Sequence, residues 1–180
     1  MATVTLRPNG AGTVTQFIPS SGNNFDCVKE VTSDSDSTYV YMNDAAGITK
    51  YDLYTIEANS IGASDTINSV TVYAYARYVL ASHTGGMRGL TIRENSTTTT
   101  ETMNALTSSY NLYSKTWTVR PSDSAPFVKA DINSLEIGIA LANSGLTATS
   151  VRCTQVYVVV NYTPSGGGST SAVPILIAGD

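Results

Sequence analysis

Charged residues are scarce in this sequence: they make up 13% of its 180 residues. The single histidine, His83, has no second histidine for a metal site and no obvious companion for a Ser-His-Asp arrangement. No apolar run reaches the about 18 residues that a membrane helix needs, and the N-terminus alternates instead of forming a signal-peptide core. We therefore expect neither an enzyme, a cofactor, a membrane span nor a leader in the chain as given.

The basic residues are also few, and they are scattered. Ten Lys and Arg occur singly against fourteen Asp and Glu, which gives a net charge of −4 and a pI of about 4.8. Binding to a phosphate backbone requires clustered cations. Nucleic acid is therefore excluded as an expected partner.

Cysteine is limited to Cys27 and Cys153, which show no CxxC or metal-ligand spacing. Both lie in apolar, strand-like surroundings, where free cysteine is commonly buried. Two interpretations remain open: two buried thiols, or a long-range disulfide that links the first and last parts of the core.

Thr, Val, Ser and Tyr recur throughout, and the eleven tyrosines outnumber the three phenylalanines. This composition is typical of an antiparallel β-protein with a hydroxyl-rich exterior. Three segments alternate most clearly between apolar and other residues, as strands do. They are Val70–Tyr78, Leu135–Ala142 and Val151–Tyr162, of which the last is apolar on both faces and is predicted to lie in the middle of a sheet.

Shorter strand-like segments bring the count to about ten, and one helical turn is predicted at Val128–Ser134. The sequence thus predicts an all-β fold: a two-sheet antiparallel sandwich of jelly-roll or related Greek-key type. The shorter strands are expected at Thr3–Arg7, Thr13–Ile18, Cys27–Val31, Thr38–Met42, Tyr51–Ile56, Gly89–Arg93, Glu101–Leu106 and Tyr110–Val119.

The chain changes character after Pro164. Residues 1–163 are predicted to form the sandwich domain, 164–171 a flexible Gly/Ser linker, and 172–180 an apolar C-terminal strand or clip. The tail is expected to dock, because exposed apolar strands aggregate. It either folds back onto its own domain or adds a strand to a neighbouring subunit. Its apolar side chains are Val173, Ile175, Leu176 and Ile177.

Several polar groups were weighed as ligand sites. A glycosidase pair needs two carboxylates about 5 to 10 Å apart, which sequence spacing cannot show. The Asp and Ser alternation at 33–37 offers oxygens to calcium but lacks the Gly and distal Glu of an EF-hand loop, so a polar turn is favoured. The four carboxylates considered, which are interpreted as solvated side chains, are Glu57, Glu94, Glu101 and Glu136.

Sugars enter in two ways. Asn95 and Asn161 each begin a glycosylation acceptor triplet, which matters only in a secreted protein. Tyrosine rings with a polar edge suit carbohydrate faces, although tyrosine also leads at protein contacts. The tyrosines considered for an aromatic platform are Tyr39, Tyr41, Tyr51, Tyr54, Tyr73, Tyr75, Tyr110 and Tyr113.

Four segments together resemble β-sandwich structural proteins encoded by bacteriophages and prophages, and related hypothetical proteins of thermophiles. The resemblance spans most of 6–163 and implies a jelly-roll-like virion component, but it assigns no functional residue. The segments are Leu6–Gly10, Asp34–Tyr41, Ile67–Arg77 and Arg152–Tyr162.

The leading functional hypothesis is a non-enzymatic, self-assembling protein of a phage virion, such as a capsid decoration, neck or tail-associated subunit. Its partners would be copies of itself and other virion proteins, with the C-terminal tail contacting a neighbour. The alternatives are an extracellular filament or surface-layer subunit polymerised by strand donation, located at the cell surface, or a carbohydrate-binding module with a glycan partner.

Overall fold

The protein is described here by a computed structural model that covers residues 1–79, 86–143 and 150–166. Within these residues, twelve strands form two antiparallel sheets of six strands each. The predicted two-sheet β-sandwich is therefore confirmed. The strands are β1 (Ala2–Leu6), β2 (Pro8–Thr15), β3 (Ile18–Pro19), β4 (Val40–Met42), β5 (Thr49–Ile56), β6 (Thr66–Val79), β7 (Gly86–Glu94), β8 (Thr97–Thr100), β9 (Asn104–Ala105), β10 (Asn111–Trp117), β11 (Glu136–Asn143) and β12 (Ser150–Thr163).

The first sheet, sheet A, has the strand order β10-β6-β12-β4-β3, and β1 also pairs with β12. On β6, every second side chain from Val70 to Ala76 is fully buried, whereas the residues between them are partly exposed. β12 pairs with β6 along one side and with β4 and β1 along the other. The prediction of a central position for β12 is thus correct.

The second sheet, sheet B, has the order β2-β5-β11-β7-β8, and β9 also pairs with β7. Ile137, Ile139 and Leu141 of β11 are fully buried and join the residues of sheet A in one hydrophobic core. The alternate position Gly138 is buried too, because a Cβ atom there would lie only 1.9 Å from the carbonyl oxygen of Asp52. Close approach of β5 and β11 thus requires glycine at this position.

Two short helical segments lie between the strands. α1 (Lys129–Asn133) confirms the predicted helical turn, and the carboxylate of Asp131 accepts a hydrogen bond from the Val128 N–H at 2.7 Å. The predicted strand at Cys27–Val31 is wrong, because Phe25–Cys27 forms a 3-10 helix. The Val28 carbonyl after it accepts a hydrogen bond from the Val156 N–H of β12 at 2.8 Å.

β12 ends at Thr163, and shortly afterwards the Ser165 N–H donates to the Asp65 carboxylate at 2.8 Å. Residues 167–180 lie outside the described residues, so the division into linker and tail stays a prediction, as does the docking of Val173, Ile175, Leu176 and Ile177. No helix in the described ranges is long and apolar enough to cross a membrane.

Candidate functional site

The outer face of sheet A carries a pair of stacked tyrosines. Tyr73 of β6 stands directly opposite Tyr157 of β12 in the strand register. Their ring centroids lie 4.8 Å apart, and the ring planes are nearly parallel at 7°. Rings that lay flat side by side could not approach so closely, so each ring covers part of one face of the other.

A second stacked pair lies next to the first. Tyr75 follows Tyr73 on the same face of β6, and its ring stacks with that of Tyr110 at 5.6 Å and 9°. Tyr110 is the residue immediately before β10, an edge strand of sheet A. We call these four rings, Tyr73, Tyr75, Tyr110 and Tyr157, the tyrosine surface.

Hydroxyl groups continue this face beyond the rings. Ser114 of β10 pairs with Tyr73, and the hydroxyls of Thr116 and Thr71 lie 2.9 Å apart on the same two strands. On the other side of β12, the exposed Thr5 of β1 pairs with Val159. The tyrosine surface is thus flanked by groups that can donate and accept hydrogen bonds.

An ion-pair cluster fixes one end of this face. Asp36 accepts hydrogen bonds from Arg77 at 2.5 Å and from Arg152 at 2.9 Å, and the Tyr110 hydroxyl donates to it at 2.9 Å. The two guanidinium groups also lie over aromatic rings: Arg77 over Tyr110 at 4.9 Å, and Arg152 over Tyr39 at 4.2 Å. We call Asp36, Arg77 and Arg152 the arginine clamp.

The clamp determines the ionisation of its members. Partial burial favours a higher pKa for Asp36, but the hydrogen bonds from Arg152, Tyr110 and Arg77 outweigh it and lower that pKa below its ordinary value. Burial, together with the bond to Asp36, raises the pKa of Tyr110. Asp36 is therefore held as a carboxylate that pins the polar turn at 33–37 across β12 and β6.

The other carboxylate of this turn is also engaged. Asp34 accepts hydrogen bonds from the hydroxyls of Thr38 at 2.7 Å and Thr154 at 2.8 Å. Across the described part of the chain, no group of three or more His, Cys, Asp or Glu side chains is arranged to hold a metal ion. The oxygens that the sequence offered to calcium thus bind the sheet beneath them.

The structure separates the tyrosines that the sequence grouped together. Tyr54 is buried in the core, and Tyr51 lies on sheet B. Tyr113 packs against the core beneath Arg88, whose guanidinium lies 4.3 Å from its ring. Tyr39 and Tyr41 lie 5.8 Å apart at the clamp end of sheet A.

Tyr157 is the member of the surface that sequence reasoning did not include. Its signal was present, because it alternates along β12 with the buried residues Val156 and Val158 and therefore faces outward. What the sequence lacked was the register that places it beside Tyr73.

The four glutamates do not form a catalytic pair. Glu57 accepts a hydrogen bond from the Arg7 N–H at 3.0 Å, and Glu136 accepts from the Thr13 N–H at 3.0 Å. Glu101 forms an ion pair with Arg88, and the buried Glu94 accepts from the Ser122 N–H at 2.9 Å. Each carboxylate thus has a partner in a different segment of the chain.

No cavity is present among residues 1–79, 86–143 and 150–166. His83 lies outside these residues. The outer face of sheet A is therefore an open surface and not a pocket.

The cysteines and glycosylation triplets lie away from the tyrosine surface. Cys27 and Cys153 are buried free thiols, whose sulfurs donate to the carbonyls of Ser21 at 2.9 Å and Gln155 at 3.4 Å. Asn95 occupies the exposed turn between β7 and β8 with a φ of 47°. Asn161 lies within β12, between β1 and β6, so it is less accessible; glycosylation at either position stays a prediction.

A buried polar cluster, which the sequence did not reveal, anchors the segment that leads into β3. Asp52 is fully buried on β5 and accepts hydrogen bonds from the backbone N–H groups of Gln16 at 2.6 Å and Phe17 at 2.9 Å. Its other oxygen accepts from the Asn24 amide at 2.5 Å and the Tyr54 hydroxyl at 3.0 Å. Burial raises the pKa of Asp52, although the four donors oppose this rise. All four donors satisfy one buried carboxylate, as a structural role requires.

Comparison with known proteins gives only distant matches. No family model matches the sequence, and no curated protein is similar to it. Among solved structures, an arabinose-bound MgGH51 α-L-arabinofuranosidase is 10% identical with a TM-score of 0.46; the match covers 86% of this chain but only 23% of the arabinofuranosidase chain.

Two matches cover most of both chains. TmCBM61, solved with β-1,4-galactotriose, is 8% identical over 85% of this chain and 86% of its own, with a TM-score of 0.40. The xylan-binding module CBM15 is 12% identical over 88% and 96%, with a TM-score of 0.39. Because these TM-scores lie below 0.5, they define neither a family nor a function for this chain.

Proposed function

We propose that the protein is a non-catalytic module that binds a glycan across the tyrosine surface. The observation that carries this proposal is the stacked pair of Tyr73 and Tyr157 at the centre of an open, hydroxyl-lined sheet face. Of the hypotheses drawn from the sequence, the carbohydrate-binding module is the one that this geometry supports best. The virion and filament hypotheses rest on the tail, which lies outside the described residues.

The chemistry of a sugar suits such a surface. A pyranose ring has C–H groups on its faces and hydroxyls at its rim, so it packs against an aromatic ring while it hydrogen-bonds at its edge. Tyrosine supplies both a ring and a polar tip. Stacking of Tyr73 on Tyr157 leaves the opposite face of each ring for a ligand, with Ser114 next to Tyr73 on β10.

The surface is also rigid before a ligand arrives. Tyr73, Tyr75 and Tyr157 project from the two longest strands of the protein, and Tyr110 is held by Asp36. Fixed side chains lose little conformational entropy when a ligand binds, which favours affinity at a shallow site. An open face further allows an extended chain to lie across it without threading into a pocket.

The test is a binding survey of soluble polysaccharides by affinity electrophoresis, followed by calorimetry with the best ligand. We expect Tyr73→Ala and Tyr157→Ala each to weaken binding by about tenfold or more, equivalent to about 1.4 kcal/mol. Tyr51→Ala on sheet B is the matched control and should bind like the wild type. Circular dichroism and thermal unfolding of each variant separate lost binding from lost folding.

Two results would overturn the proposal. One is a wild-type protein that binds no polysaccharide in the survey. The other is a folded Tyr73→Ala, Tyr157→Ala double variant that retains wild-type affinity.

A further inference from the structure

We propose that the glycan bound at this surface carries an acidic group, a carboxylate or a sulfate ester, and that Arg7 binds it. This inference rests on the proposed glycan-binding function. It names the class of ligand and a residue that selects it, neither of which follows from the tyrosines alone.

The strand register places Arg7 next to the tyrosine pair. In the antiparallel pairing of β1 with β12, Thr5 is opposite Val159 and Leu6 is opposite Val158. Arg7, the next residue, therefore comes to the level of Tyr157. Arg7 shares the alternation of Thr3 and Thr5, which are exposed on the outer face, whereas Leu6 points into the core.

A row of side chains thus crosses four neighbouring strands of sheet A. It begins at Ser114 on β10, continues through Tyr73 and Tyr157, and ends at Arg7. The pKa of Tyr157 supports this placement: burial and the nearby Tyr73 raise it, while Arg7 acts in the opposite direction. The cation is therefore close to the ring that a sugar would contact.

Arg7 differs from the other arginines of this face because no carboxylate compensates its charge. Arg77 and Arg152 share Asp36, whereas no carboxylate among the described residues forms an ion pair with Arg7. The nearby Glu57 binds the backbone N–H of Arg7.

The position of the guanidinium group makes the missing partner significant. Arg7 is half-buried, and its Nε atom is buried without a hydrogen-bond partner. A partly desolvated cation with an unsatisfied donor is costly. An acidic group on a ligand would provide the missing negative charge at the outward-facing end of the side chain.

Carboxylates and sulfates both suit this role, because arginine forms charge-assisted hydrogen bonds with either anion. The contact must act locally, since the protein as a whole carries a net charge of −4 and does not attract anions over long distances. We therefore expect the ring to stack on Tyr157 while its acidic group pairs with Arg7.

Calorimetry with matched ligands tests the inference. The ligands are a polyuronate oligosaccharide, the same oligosaccharide with its carboxyl groups reduced to alcohols, and a sulfated polysaccharide together with its desulfated form. The wild type should bind one acidic ligand about tenfold or more tightly than its neutral counterpart. The pair that shows this preference distinguishes carboxylate from sulfate.

Variants assign the preference to Arg7. Arg7→Gln should abolish the preference for the acidic ligand and leave affinity for the neutral ligand unchanged, while Arg7→Lys should retain part of it through its charge. Arg93→Gln is the matched control, because Arg93 on sheet B is also half-buried and also forms no ion pair with a described carboxylate. It should bind like the wild type.

The outcomes separate this inference from the function on which it rests. Equal binding of acidic and neutral ligands, or an equal loss of both in Arg7→Gln, overturns the role of Arg7. In that case glycan binding still stands if Tyr73→Ala and Tyr157→Ala weaken binding of the neutral ligand. Tyrosine variants that bind like the wild type overturn the proposed function instead.

Discussion

The Nη1 atom of Arg152 lies 2.9 Å from Oδ1 of Asp36, although 116 residues separate them in the chain. This contact joins the longest central strand of sheet A to the polar turn that crosses it. Arg77 and Tyr110 bind the same carboxylate, so one side chain orders both the turn and a ring of the tyrosine surface.

Acid should release the arginine clamp. The pKa of Asp36 is lower in the folded protein than its unfolded value of about 3.9, so its stabilising effect is complete above that value and is lost as pH falls through the folded pKa. NMR signals of the Tyr110 ring should therefore shift as the solution is taken below about pH 4. Asp36→Asn should remove this transition, and Asp44→Asn, which removes the carboxylate of a different ion pair, should preserve it. An unchanged Tyr110 titration in Asp36→Asn would show that another group is responsible.

The buried carboxylate of Asp52 should be essential for stability. Asp52→Ala leaves four donors without an acceptor in the interior, and we expect it to lower the free energy of unfolding by about 3 kcal/mol or more. Asp52→Asn should cost less, because its amide oxygen can still accept from Gln16 and Phe17. Urea denaturation measures both values. The surface variant Asp26→Ala should change stability little, and a similar loss in it would contradict the assigned role of Asp52.

Neither cysteine should react in the folded protein. Burial raises the pKa of Cys153 to about 12, so almost no thiolate is present at neutral pH, and Cys27 is equally inaccessible. A colorimetric thiol reagent should detect no thiols in the native protein and two after unfolding in urea without reductant. Cys153→Ala should then give one. Recovery of thiols only after reduction would show a disulfide instead.

Much of the fold could be predicted because β6 and β12 alternate so regularly that their buried faces are evident from the sequence. The error at Cys27–Val31 has a physical cause. A short apolar segment has no distinctive period, and here burial is achieved by a 3-10 helix that places Val28 beside β12.

The candidate site was less predictable. Tyr73 and Tyr75 were recognised as outward-facing, but Tyr157 and Arg7 acquire meaning only from their neighbours on other strands. Asp36 was interpreted as part of a polar turn, and nothing in its local sequence indicates two arginine partners from separate strands.

The sequence by itself determined the class of fold, the alternation of individual strands and the scarcity of groups suited to catalysis. These properties depend on composition and on contacts between near neighbours in the chain. Only the tertiary structure decided that Tyr73 stacks on Tyr157 and that Arg7 lies beside them. Such meetings depend on strand register, here altered by the irregularity between Cys153 and Gln155, and a shift of one residue would turn each of these side chains to the opposite face of the sheet.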